Sequence, residues 1–166
     1  MPDFSPDDHT FMRAALAEAR AAGADDEVPA GALLVGPDGL ILGHGRNRVI
    51  TLSDPTAHAE ILALREGALS LGNYRLPGCV LYSTLEPCAM CLMAAIHARL
   101  SRVVFGAAEP RWGAAGSLVD LAGLEGLNHQ MVIQGGLLAG ESAGLISDFF
   151  RDKRLRQKEK KLRLGD

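Results

Sequence analysis

The sequence has no disulfide framework, no long apolar run and no repeat. Its three cysteines are an odd number, and two of them stand only three residues apart, Cys88 and Cys91. That spacing argues for metal or thiol chemistry in a reducing compartment. No uninterrupted apolar stretch approaches the ~20 residues that span a bilayer. The start, Met1-Pro2-Asp3-Phe4, is acidic where a secretory leader would be basic. A cytoplasmic chain without a membrane segment is expected. Low-complexity linkers are also missing, and 166 residues with 48% hydrophobic content suffice for one core and not two. We expect a single domain over residues 1–150, with residues 151–166 as a basic, helical, exposed tail of the same domain.

What is present is a charge asymmetry. The last sixteen residues hold eight Lys or Arg against three Asp or Glu, a balance of +5, whereas the preceding 150 hold nine against seventeen, a balance of −8. A polyanion would be met mainly by the tail.

Local signals order the chain. Ser5-Pro6-Asp7-Asp8 offers a capping serine, a proline at the first helical position and two carboxylates on the positive end of the dipole. The spacing of Phe11, Ala15, Leu16, Ala19 and Ala22 continues that helix to Gly23. Ala32–Val35 and Leu40–Leu42, around Gly36-Pro37-Asp38-Gly39, form a hairpin. Helices are expected over Ala57–Leu71 and Pro87–Arg99, and strands over Cys79–Thr84, Arg102–Phe105 and Met131–Ile133. Strands alternating with helices are the pattern of an α/β fold. Glu141–Phe150 is apolar at helical spacing and runs unbroken into the tail.

Two segments carry chemistry: Asp54-Pro55-Thr56-Ala57-His58-Ala59-Glu60 and Leu85-Glu86-Pro87-Cys88-Ala89-Met90-Cys91. Each opens a predicted helix. Cys88 and Cys91, three apart, share a helix face, whereas His58 and Glu60, two apart, point about 200° from each other. Both can straddle one point only if it lies just beyond a helix N-terminus, which places a metal between the two helix starts. One imidazole and two thiolates leave a fourth tetrahedral position for water, the pattern of a catalytic zinc. Thiolates soften the ion's pull on that water, so the helix dipoles and Glu60 as proton acceptor are needed to activate it. Cys79 falls in an apolar strand and is expected in the core. His9, His44, His97 and His129 lie outside any ligand spacing.

With those residues in place, the sequence resembles the bacterial tRNA-specific adenosine deaminases of the cytidine deaminase superfamily, from about Phe11 to Phe150. Besides the His-x-Glu and Pro-Cys-x-x-Cys segments, the resemblance rests on Glu27-Val28-Pro29, Asn47, Asn73-Tyr74-Arg75-Leu76, Thr84-Leu85, Val103 to Ala107, Gly113 to Leu118, Asn128-His129 and Ser147 to Arg151. It implies a three-layer α/β/α fold on a central mixed five-stranded sheet, and one zinc per subunit on His58, Cys88 and Cys91. It implies that Glu60 shuttles protons while a zinc-activated water converts adenosine to inosine at the wobble position of a tRNA anticodon. It implies a homodimer that takes the anticodon stem-loop. Substrate contacts are implied at Asn47, Ala59, Pro87, Glu109, Phe149, Arg151, Lys153 and Arg154. Asn47 either contacts the base or closes the hairpin; Phe149 is either a wall of the nucleotide site or core; Trp112 either stacks on a base or covers its loop. The loop after Ala107 departs from the family pattern, with Glu109 where Asp is usual. A free nucleoside or base as substrate is the alternative, and a +5 tail has no use there.

Overall fold

Ser5 starts the first helix, α1 (Pro6–Ala24), through a reciprocal capping box. Its Oγ accepts the Asp8 amide at 3.1 Å while the Asp8 carboxylate accepts the Ser5 amide at 2.9 Å. Asp8 does more than cap. Buried at 3% exposure, it accepts the Tyr82 hydroxyl at 2.6 Å and a two-pronged contact from Arg102 at 2.7 and 3.1 Å. The helix start is thereby tied to two strands of the sheet. The computed structural model describes residues 3–164, so the first two residues of the acidic start and the last two of the tail lie outside the described residues.

After α1 come β1 (Gly31–Val35) and β2 (Ile41–Arg46), a hairpin closed by the Gly36 amide on the Leu40 carbonyl at 2.8 Å, with Gly39 at φ 80°. The hairpin was expected, but β2 runs to Arg46 and not to Leu42. Gly43 and Gly45 interrupt its apolar pattern because a helix backbone lies against them: a Cβ on Gly43 would strike the Ala63 carbonyl, and one on Gly45 the Ala59 carbonyl. A short helix, α2 (Val49–Leu52), follows, unanticipated because four residues show no periodicity. Then come α3 (Ala59–Leu71), β3 (Val80–Leu85), α4 (Ala89–His97), β4 (Arg102–Ala107), β5 (Val132–Gly135) and α5 (Ala139–Leu164). The tail belongs to α5, one helix from Ala139 onward.

The five strands form one sheet in the order β2-β1-β3-β4-β5, antiparallel from β2 to β3 and parallel from β3 to β5. Alternation along the strands splits the core in two. Leu34, Leu81 and Val103 face Ala63, Leu64 and Ala95 of α3 and α4. Leu33, Tyr82 and Val104 face Met12 and Ala15 of α1, with α5 packed beside it on β4. The expected three-layer α/β/α fold with a mixed five-stranded sheet is therefore present. Cys79 is fully buried in the first of these cores. Among the described residues no helix is long and apolar enough to cross a membrane.

Candidate metal centre and active site

Helices α3 and α4 both begin where the chain leaves the sheet, and each begins one residue after a metal-capable side chain. His58 is the N-cap of α3 (φ −73°, ψ 152°) and Cys88 the N-cap of α4 (φ −71°, ψ 172°). The helices thus start two residues later than expected, at Ala59 and Ala89, because the cap residues are extended. An extended His58 need not share a helix face with Glu60, and this resolves their two-residue spacing. Neither side chain makes a capping hydrogen bond to its own helix.

The two side chains meet. Cys88 Sγ lies 3.6 Å from Cys91 Sγ, and each sulfur lies 3.6 Å from His58 Nδ1. The faces of a tetrahedral zinc site with one nitrogen and two sulfurs have edges of about 3.6–3.8 Å, from Zn–N near 2.0–2.1 Å and Zn–S near 2.3 Å. The donor set fits zinc in both chemistry and size, with one vertex open. Among the described residues, His58, Cys88 and Cys91 form the cluster of metal-capable side chains, and Cys79 is not part of it.

Glu60 closes the far side. It is buried at 5% exposure, its Oε1 accepts the Ser83 hydroxyl at 3.2 Å, and its Oε2 lies 3.6 Å from Cys91 Sγ. Burial raises its pKa above the ordinary carboxylate range, as suits a group that must take up a proton. The contact with Cys91, helped by His58, brings Cys88 down to about 4, so its thiolate is ready for a cation at neutral pH. The same contact with Cys88, then burial and Glu60, pushes Cys91 up. The contact with Cys88 raises His58.

The loop over the site hangs from Glu86, to which the sequence reading gave no role. Glu86 is 3% exposed, and its carboxylate accepts the amides of Glu109 (2.9 Å), Ala115 (3.0 Å) and Ser117 (3.0 Å) together with the Ser117 hydroxyl. The Ala114 amide donates to the Pro87 carbonyl, and Gly113 bridges to Cys88. Glu86 therefore fixes residues 109–117 against the ligand-bearing turn. A charged residue at the exit of an apolar strand was the available signal. Glu27, also missed, is 1% exposed and accepts Asn47 Nδ2 at 3.3 Å and the Thr51 amide at 2.7 Å.

Asn47 is buried and sits at the same end of the sheet as the ligands. Its neighbour Arg48 donates to the carbonyl of Ala57, directly before His58, at 3.0 Å. Ala59 and Pro87 are buried beside His58 and Cys88 in sequence. Glu109 folds back so that its Oε1 accepts the Arg111 amide at 2.9 Å. Trp112 is 71% exposed. Phe149 is 9% exposed, edge-on to Phe150 with Lys153 Nζ 5.1 Å from its ring centroid. Arg151 and Arg154 are exposed on α5, Arg151 pairing with Asp148 at 2.9 Å. Further along, Arg156 reaches Asp26 at 3.2 Å, which joins the tail to the loop that carries Glu27.

Residues 5–107 match the family described as "Cytidine and deoxycytidylate deaminase zinc-binding region". A tRNA-specific adenosine deaminase of Haemophilus influenzae is 46% identical over 154 residues, 93% of this chain and 89% of that one. A solved structure from work on A-to-I editing by tRNA:A34 deaminases at the wobble position superposes with a TM-score of 0.79 at 46% identity, covering 82% of this chain and 98% of that one. A guanine deaminase from Nitrosomonas europaea superposes at 0.75 with 26% identity, over 90% of this chain and 86% of that one. In this chain two helix starts aim one imidazole and two thiolates at a single point beside a buried glutamate, and with these matches the chain belongs to the cytidine and deoxycytidylate deaminase zinc-binding family, among its tRNA-specific adenosine deaminases.

Proposed function

We propose that this chain hydrolyses the 6-amino group of adenosine at the wobble position of a tRNA anticodon, giving inosine and ammonia. The carrying observation is the triangle of His58 Nδ1, Cys88 Sγ and Cys91 Sγ with the buried carboxylate of Glu60 at its edge. His58, Cys88 and Cys91 would hold one zinc ion, which when bound supplies the Lewis acidity that makes water nucleophilic near neutral pH.

Glu60 does the proton work. Its raised pKa lets it accept one proton from the attacking water and deliver it to N1 of the adenine, then take the second from the hydroxyl now on C6 and pass it to the amine as the C–N bond breaks and ammonia leaves. Ser83 holds one oxygen of Glu60, leaving the other for the proton. The nucleotide must leave its stack to reach a site this enclosed. Asn47 would hold the extruded base, Ala59, Pro87, Glu109 and Phe149 would line its surroundings, and Arg151, Lys153 and Arg154 would meet phosphates. A body at −8 repels RNA, so the +5 tail supports RNA over a free base as substrate. The reading includes a homodimer acting in the cytoplasm. Its test is mass-spectrometric detection of inosine in tRNA incubated with the zinc-loaded protein. Deamination of free guanine or adenosine with untouched tRNA would favour the small-substrate alternative.

A further inference from the structure

Glu27 is a buried carboxylate far from the metal ligands in sequence, and the proton chemistry makes no use of it. Its two oxygens are committed differently. Oε1 accepts the backbone amide of Thr51 at 2.7 Å, and Oε2 accepts Asn47 Nδ2 at 3.3 Å. Burial works against its charge, but the hydrogen bonds from Thr51 and Ile50 and the nearby Arg48 win, so its pKa lies below the ordinary value and it is ionised at neutral pH.

An ionised carboxylate only accepts hydrogen bonds, so the group it faces on Asn47 must be the NH2. The Asn47 oxygen is then turned the other way. Among the described residues Oδ1 takes no hydrogen bond, yet it is not one of the sealed, unpartnered polar atoms. It faces accessible space. With one Nδ2 hydrogen given to Glu27, the other lies alongside Oδ1, and together they form a donor–acceptor edge. That edge complements N7 and the 6-amino group of adenine, the two atoms an asparagine reads in a bidentate pair.

We propose that Glu27 is a positioning residue that sets which way the Asn47 carboxamide faces, and through it the selection of a 6-amino purine over a 6-oxo purine. This rests on the reading of Asn47 as the base contact. It has a consequence for turnover: the product's 6-oxo group would confront the Asn47 oxygen, acceptor against acceptor, and the site rejects what it has made.

Glu27→Gln should invert the arrangement. The glutamine oxygen must stay on the Thr51 amide, so its NH2 faces Asn47, which has to turn its own oxygen inward and present its NH2 to the base. The inverted edge mismatches the 6-amino group and accepts the 6-oxo group.

The test uses zinc-loaded protein in a Glu60→Ala background, which slows turnover enough for binding to be read, and anticodon stem-loops carrying adenosine or inosine at the wobble position. Adding Glu27→Gln should lower the ratio of adenosine to inosine affinity by at least about ten-fold, while Asn47→Ala should leave a ratio that Glu27→Gln no longer moves. An unchanged ratio overturns the proposal. Should Glu27→Gln fail to fold, a 7-deazaadenosine stem-loop decides with the native Glu27: the Glu60→Ala protein should bind it roughly ten-fold more weakly than adenosine, and equal binding overturns the proposal. Protein with native Glu60 that forms no inosine refutes the function on which this rests. Inosine formation with an unmoved ratio refutes the role of Glu27 alone.

Discussion

Replacing Glu86 by glutamine changes one oxygen to NH2 at a carboxylate that holds a whole loop. Oε1 takes the amides of Ala115 and Ser117, and Oε2 takes the Glu109 amide and the Ser117 hydroxyl. The least costly orientation keeps the glutamine oxygen on the first pair. Its NH2 then faces the Ser117 hydroxyl, which can rotate to accept, and the Glu109 amide, which cannot. One partly buried N–H loses its acceptor and the remaining bonds lose their charge assistance, for a total of about 3 kcal/mol. In a chain of this size that is a fall in Tm of about 6–12 °C. Differential scanning calorimetry of the zinc-loaded protein reads it directly. Because Gly113 bridges to Cys88 and its Cα faces the Glu86 side chain, the loosened loop should also lower kcat more than it raises KM. A variant within 1–2 °C of the parent, on the scale just used, would refute the idea that the loop hangs from this carboxylate.

Gly45→Ala should drive the Ala59 turn of α3 outward, since its Cβ meets the Ala59 carbonyl; we expect a loss of about 1–3 kcal/mol in unfolding experiments and roughly 10²-fold in rate from the displaced His58 and Glu60. Asp8→Asn should cost about 3–5 kcal/mol at pH 7 by leaving Arg102 without its partner. Burial opposes the charge on Asp8, but Arg102 and Tyr82 hold its folded pKa far below the unfolded 3.8. Its contribution is therefore complete above about pH 5 and lost as pH falls from there towards the folded value; thermal melts at stepped pH should show the acid loss in the parent and a flatter profile in the variant. Cys88→Ala or Cys91→Ala should lose metal and stability together, and full zinc occupancy by elemental analysis would exclude them as ligands. Truncation after Phe150 should flatten the plot of log tRNA affinity against log salt by about 0.7–0.9 for each phosphate contact removed, with zinc content unchanged.

Much of this was legible because the signals are local. Ser5, Pro6 and Asp8 mark a helix start, Gly36 to Gly39 a turn, and the two ligand segments their own helix junctions. What escaped was set by partners distant along the chain. Asp8 reads as a dipole carboxylate, and its engagement with Arg102 spans 94 positions. Gly43 and Gly45 look like strand breakers until α3 lies on them. Glu27 and Glu86 are ordinary charges in sequence, and become organisers only when burial removes their water and leaves backbone amides, or Asn47, as their partners. The irregular stretch between β4 and β5 carries no period that could have drawn its path.

The central claim is that this site adds water to C6 of a wobble adenosine with Glu60 as the proton carrier. Single turnover of an anticodon stem-loop in 18O-labelled water tests it most directly. The account predicts inosine carrying one 18O at the 6-position, and a rate for Glu60→Ala lower by roughly 10²–10⁴-fold with zinc still bound. Inosine without the label, or Glu60→Ala at the parent's rate, would contradict it.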